Sequence, residues 1–183
     1  LPAGEWPLQR TLRAFIDSDL EVEETGEDDN QKTVKYTPVA RPDFVITNIA
    51  LNPTNPAYGK TFTATVAIKN CGGASGSGGY LCVWTNKATN VAAKTSATKS
   101  TSIGTISAFG SKTVTITGLS AGNDGEKVFR AYIDATAVTT EINDTNNQSA
   151  VNYTVQRKPD VRIYSIALNP TVPVKGGEFA ATV

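Results

Sequence analysis

The side chains best suited to chemistry in this chain of 183 residues are acids and amides, and they come twice. Asp134, Glu141 and Asn147 have counterparts in Asp17, Glu24 and Asn30, each 117 positions earlier. Oxygen donors of this kind suit Ca²⁺, which takes roughly six to eight oxygen ligands. The same residue types also cap turns by accepting backbone N–H groups. Both readings remain open at this level. Asp17-Ser18-Asp19-Leu20-Glu21 is not an EF-hand, because Val22 occupies the Gly position of that loop. The extra acids Asp19 and Glu21 give way to Thr136 and Val138 in the later segment.

Other candidates are few. Cys71 and Cys82 flank a Gly- and Ser-rich stretch and there is no His, so an ordinary zinc site is excluded. A Cys71–Cys82 disulfide closing that loop is one expectation in an oxidising compartment. Two buried free thiols on neighbouring strands are the other. Asn143-Asp144-Thr145, Asn147-Gln148-Ser149 and Asn152-Tyr153-Thr154 are N-glycosylation sequons. The matching places 117 residues earlier carry none. Catalysis has no basis here. Without His there is no Ser–His or Cys–His pair. Ser96-Ala97-Thr98-Lys99 fits S-x-x-K but lacks the companion motifs. Gly72 to Gly79 is followed by no helix that could present N–H groups to a phosphate. The chain is read as a non-enzyme.

The net charge is zero, so the composition offers no electrostatic pull toward nucleic acid. No stretch approaches the roughly 18 apolar residues of a membrane helix. Thr, Ser, Asn, Ala, Val and Gly dominate, as in secreted β proteins, and an extracellular or cell-surface location is expected.

The elements that must hold these residues are strands. Lys60 to Asn70 alternates, with Phe62, Ala64, Val66 and Ile68 on one face, which predicts a half-buried strand. Further strands are predicted at Asp43–Leu51, Tyr80–Thr85 (with Trp84 in the core), Ser100–Ile106, Lys112–Thr117, Lys127–Asp134 and Asn147–Val155. Phe129, Ala131 and Ile133, and Val151, Tyr153 and Val155, are expected to face inward. Gly110 is expected to supply the turn before Lys112. That makes about seven strands in an all-β sandwich.

A repeat runs through the chain. Ile49-Ala50-Leu51-Asn52-Pro53-Thr54 recurs intact as Ile166-Ala167-Leu168-Asn169-Pro170-Thr171. Arg13 to Val66 aligns onto Arg130 to Val183 without a gap, and about 25 of 54 positions are identical. Leu12, Ala14 and Ile16 stand where Phe129, Ala131 and Ile133 do, and Val34 and Tyr36 where Val151 and Tyr153 do. They are expected to face inward too. Residues 1–40 are therefore read as the C-terminal part of one module, 41–157 as a complete module, and 158–183 as the start of a third. An isolated segment of about 40 residues rarely builds a core alone. A longer natural molecule, or completion of the end pieces by neighbouring chains, is expected.

Arg41-Pro42-Asp43-Phe44-Val45-Ile46, then Leu51-Asn52-Pro53, Asn55-Pro56 and Gly59, resembles the start of the CARDB family, the cell-adhesion-related domains of bacteria and archaea. Tyr132-Ile133-Asp134, Glu141 and Asn143-Asp144-Thr145-Asn146-Asn147 are similar to its acidic, Asn-rich finish, and Leu1-Pro2-Ala3-Gly4 to its late hairpin. The resemblance implies a seven-stranded, immunoglobulin-like or fibronectin-like sandwich in a tandem array. The Cys71–Cys82 pair departs from the family pattern. The expected function is a structural or adhesive repeat of a stalk, surface layer or filament. Its partners would be neighbouring repeats, copies of itself, or cell-surface glycans or proteins. The alternative is a carbohydrate- or peptide-binding accessory module of a secreted enzyme, for which Trp6 and Tyr58 are candidate surface aromatics.

Overall fold

The computed structural model describes residues 9–19, 21–26 and 28–183. Trp6 and the Leu1–Gly4 turn lie outside the described residues. The described residues form strands and no helix. Two sheets face each other in the middle of the chain. One has three antiparallel strands in the order β3 (Phe44–Asn52), β4 (Thr61–Asn70), β9 (Ser111–Ser120). The other has four, in the order β11 (Gln148–Val155), β10 (Gly125–Tyr132), β6 (Tyr80–Trp84), β7 (Lys99–Ser102). A short pair, β5 (Gly76–Ser77) with β8 (Thr105–Ile106), sits beside them. Hairpins β1 (Arg10–Phe15) with β2 (Gln31–Tyr36), and β12 (Ala167–Asn169) with β13 (Ala180–Thr182), lie in the flanking segments.

Alternation builds the core. Phe62, Ala64, Val66 and Ile68 of β4 are buried, and the Thr residues between them are more exposed. Phe129, Ala131 and Ile133 are buried from the opposite sheet, as are Tyr153 and Val155, with Val151 packed against them. The Phe62 ring meets Phe129 edge-on at 6.2 Å between centroids and Tyr153 at 5.4 Å, which closes the gap between the sheets. This is a β-sandwich core: apolar side chains of two inner faces interdigitating.

Three expectations need correction, and one needs refinement. The stretch Ser100–Ile106 is not one strand, because Gly104 takes a positive φ of 73° and sends the chain from β7 in one sheet to β8 beside the other. Phe109 (φ 59°), not Gly110, occupies the left-handed turn position before β9. Trp84 is buried as expected, in a second core cluster on the opposite side of β6 from the main one. It packs with Cys82, Val91, Tyr132 and Ala135 in a second cluster. Most consequentially, Leu12, Ala14, Ile16, Val34 and Tyr36 are exposed, although their counterparts are buried or packed on the core. No opposing sheet covers them among the described residues.

Two substitutions separate the environments. Phe62→Ala should cost about 3–5 kcal/mol, the usual range for emptying a core aromatic site. Leu12→Ala should cost no more than about 0.5 kcal/mol in dilute solution, as an exposed change. Urea unfolding of each variant checks this. Equal costs would mean that the first hairpin is closed like the central one.

Candidate functional site

The repeated acids and amides converge where the chain enters the central sandwich. Glu141 is buried and grips β3 at its first residue: its Oε2 accepts the Phe44 N–H at 2.6 Å, and its Oε1 accepts from Asn147 Nδ2 at 2.6 Å. Asn70, at the end of β4, is fully buried. Its Oδ1 accepts the N–H groups of Asp43 and Gly72, each at 3.0 Å, and its Nδ2 donates to the Ala74, Ile106 and Ser107 carbonyls. Asn146 Nδ2 donates to Asp43 Oδ1 at 2.9 Å. Backbone bonds from Cys71 N to Asp43 O (2.7 Å) and from Ile142 N to Pro42 O (2.9 Å) complete the grip. Gly72 is required here, since a Cβ on it would lie 2.2 Å from the Arg41 carbonyl oxygen. The segment Arg41–Phe44 is thus held by the loop 134–147 and by the end of β4.

Asp134 shapes that loop. With φ at 47°, it accepts the Val138 and Thr139 N–H groups on its two carboxylate oxygens, at 3.0 and 2.8 Å. Asp17 does the same 117 residues earlier, with φ at 49° and bonds of 2.9 and 3.1 Å from Glu21 and Val22. Desolvation is the main influence on Glu141 and pushes its carboxyl up to about 7. The two hydrogen bonds it accepts oppose that shift, and the nearby Asp144 and Asp134 add to it.

The carboxylates of Asp134 and Glu141 are engaged by N–H donors, whereas Asn147 Oδ1 and Asn146 Oδ1 are buried with no hydrogen-bond partner. Each of the four carboxylate oxygens accepts one N–H group and keeps a second lone pair. Asn147 turns its amide nitrogen toward Glu141, which leaves its buried Oδ1 without a hydrogen-bond partner. Among the described residues no group of three or more His, Cys, Asp or Glu side chains is placed to hold a metal ion. The structure uses Asp134 and Asp17 as turn caps. Glu24 is exposed and Asn30 is buried, and both make interactions within the structure.

Both cysteines are free thiols. Cys71 is exposed and Cys82 is buried in the second cluster, where burial pushes its thiol pKa up and makes it unreactive. The disulfide expectation is corrected accordingly: Cys82 packs as a small apolar side chain on the face away from the core. Of the sequons, Asn143 is exposed and its Oδ1 accepts both the N–H (3.0 Å) and the hydroxyl (2.6 Å) of Thr145. Asn152 is exposed on β11. Asn147 is buried with its amide nitrogen engaged, so the folded domain closes that position to a glycosyl donor.

One functional group escaped the sequence reading. Arg130 is buried, and its guanidinium donates to the Lys87 and Ala88 carbonyls and to Asn90 Oδ1. Gln148 bonds both backbone groups of Val91, and Trp84 Nε1 donates to the Ser96 carbonyl at 2.8 Å. Together they pin the long 85–98 loop over the second cluster. The signal was the recurrence of Arg at 13 and 130 and of Gln at 31 and 148.

A family model for CARDB matches residues 41–151. The chain belongs to the CARDB family. The CARDB domain of a Pyrococcus furiosus protein, solved in complex with di-metal ions, is 20% identical with a TM-score of 0.51. The match covers 63% of this chain and 90% of that one. A solution structure of the same P. furiosus CARDB domain gives 18% and 0.47, covering 64% and 97%. A domain of a candidate cell-surface protein from Methanosarcina acetivorans gives 17% and 0.47, covering 63% and 93%. No curated protein matches the chain. CARDB is a cell-adhesion-related family of bacteria and archaea, and the all-β sandwich seen here is its fold. In this CARDB domain the Asn-rich finish acts as a clamp on the domain's own entry strand.

The clamp has a pH signature. A folded-state pKa above the ordinary carboxylate value means stability is fully present below pH 4.5 and is lost as pH rises through about 7. The urea midpoint of the wild type should therefore fall between pH 5 and pH 8. Glu141→Gln should lower stability by about 1–3 kcal/mol at pH 5, by disturbing a buried hydrogen-bonded acceptor, and should flatten that slope. A slope unchanged in the variant would assign it to another group. The donor geometry also carries an expectation about cations. If these residues serve only as caps, the melting temperature should be the same in millimolar EDTA and millimolar calcium, and a rise of several degrees with calcium would show that they also hold a cation.

Proposed function

We propose that this CARDB protein is a non-enzymatic structural or adhesive element of an extracellular, cell-surface assembly. In this reading, sandwich modules of one design follow one another along the polypeptide. Residues 41–157 are one module, residues up to 40 the end of a preceding one, and 158–183 the beginning of the next. The observation that carries it is the 117-residue recurrence, with its undisturbed Ile-Ala-Leu-Asn-Pro-Thr block. Local geometry supports it. All six residue pairs of the β1–β2 register fall on pairs of the β10–β11 register when 117 is added. The three pairs of β12–β13 fall on pairs of β3–β4 when 117 is subtracted.

The clamp bears on the mechanics of such an array. Val39 to Pro42 is a short junction containing Pro, which limits its backbone freedom. Glu141, Asn70 and Asn146 fasten the residues that follow it, so little slack remains. A junction of this kind favours a semi-rigid rod over beads on a flexible string. Glycans on Asn143 and Asn152 would be carried on exposed surface, and intact mass of the natural protein reports them. The accessory-module alternative calls for a cluster of exposed rings. Tyr58, Tyr80 and Phe109 are half-exposed, but Tyr80 starts β6 while Tyr58 and Phe109 lie in two different loops.

Electron microscopy of the natural protein on its source cells tests the reading. Rods or fibres with an axial repeat of one sandwich domain are expected. Isolated globular particles with no axial repeat would refute it.

A further inference from the structure

The strands by which the chain enters and leaves the sandwich are both edge strands, and they point the same way. β3 is the edge of one sheet and β11 the edge of the other. Both start at one pole, where Glu141 and Asn146, just ahead of β11, hold Phe44 and Asp43 at the head of β3. Both end at the opposite pole. There Tyr58 N donates to Gln156 O at 3.0 Å and Gln156 N to Pro56 O at 2.9 Å, and Ala57 forms a parallel bridge with Gln156. Asn55 Oδ1 also accepts the Thr154 N–H, at 3.3 Å. The two edge strands are thus tied to each other at both ends.

This layout fixes what an axial pull does. The chain runs on past both poles, from Arg41 at the entry and from Arg157 at the exit. Tension therefore draws β3 backwards out of the entry pole and β11 forwards out of the exit pole, so the two are driven past each other. Ladder bonds of an antiparallel pair lie across the strands. The load falls on the eight residue pairs of β3–β4 and the eight of β10–β11 in shear, and all must fail together. The ties at the poles meet the load first. At the entry they are the Glu141 carboxyl on Phe44 N, the Asn70 amide on Asp43 N, and the bond from Ile142 N to Pro42 O.

We propose that the domain is a load-bearing element that carries tension along the chain. Its two anchors are the Glu141–Asn70 clamp and the tie of Pro56–Tyr58 to Gln156. The apolar core holds the sheets together, and the anchors set how long the fold survives a pull. The resistance is directional. Cys71, an exposed thiol whose N–H donates to Asp43 O, stands beside the entry strand. A pull between the N-terminus and Cys71 crosses the entry pole and opens β3 from β4 one pair at a time. The proposal rests on the reading of the chain as modules in line and adds what passes along that line, which is force.

Single-molecule force spectroscopy on the 183-residue chain at pH 5 tests it. Held by its two ends, the chain should open its central sandwich in one step that releases residues 44–155 together. Held at the same force by the N-terminus and the Cys71 thiol, it should open at least about tenfold sooner, a factor that about one hydrogen bond's worth of barrier supplies. The buried Cys82 does not compete for the handle. Glu141→Gln at one anchor, and Gln156→Pro at the other, should each shorten the end-to-end lifetime at least about tenfold. Trp84→Phe removes a buried bond to the Ser96 carbonyl away from both anchors. It should lower the urea midpoint and leave the end-to-end lifetime unchanged. Circular dichroism checks that each variant is folded, and the comparison of pulling directions needs no variant at all. Equal lifetimes in the two directions overturn the proposal. So do lifetimes that merely follow urea stability across the three variants. Either result leaves an axial repeat in the natural protein standing, and a natural protein without that repeat leaves the directional lifetimes measurable.

Discussion

Phe62 stands on the middle strand of one sheet and reaches two rings on the other. Neither sheet is stable alone, because each has an apolar face that must leave water. The closure of those faces is the constraint on which the rest of the domain depends. Strand alternation, the turns between strands and the placing of the entry clamp all follow from keeping the sheets in contact. At about 25 cal/mol per Å² of apolar surface removed from water, the facing residues supply most of what opposes the entropy of the chain. The hydrogen bonds of the clamp then decide how the chain enters, more than whether the sandwich forms.

Much of the fold was legible because its signals are local. The strict alternation of β4 and the apolar residues of β10 and β11 declared their inner faces directly. The exposure of Leu12 and Val34 was not legible. Sequence similarity carries a residue's orientation, but burial depends on whether another surface stands opposite. Trp84 was legible as a core residue, but not the side of β6 it takes. A buried strand covered on both faces has no alternation to show which side is the core. The break at Gly104 was hidden, because a single positive-φ residue can divide a strand without altering its composition.

The site was legible in its membership and not in its chemistry. The recurrence of Asp134, Glu141 and Asn147 marked them as belonging together. Oxygen-rich residues can hold a cation or hold backbone N–H groups, and only the identity of the facing atoms separates the two. Phe44 N, Asn147 Nδ2, Val138 N and Thr139 N face them here. Arg130 shows the reverse case. Its role as the pin of the 85–98 loop depends on carbonyls about 40 residues away in sequence, which no short motif could announce.

Native-state hydrogen exchange tests the closure of the two sheets most directly. If the contact around Phe62 makes residues 44–155 one cooperative unit, the slowest amides of β4 and of β10 should exchange with a single common opening free energy. That value should also match the free energy of global unfolding. Distinct opening free energies for the three-stranded and four-stranded sheets would contradict the account.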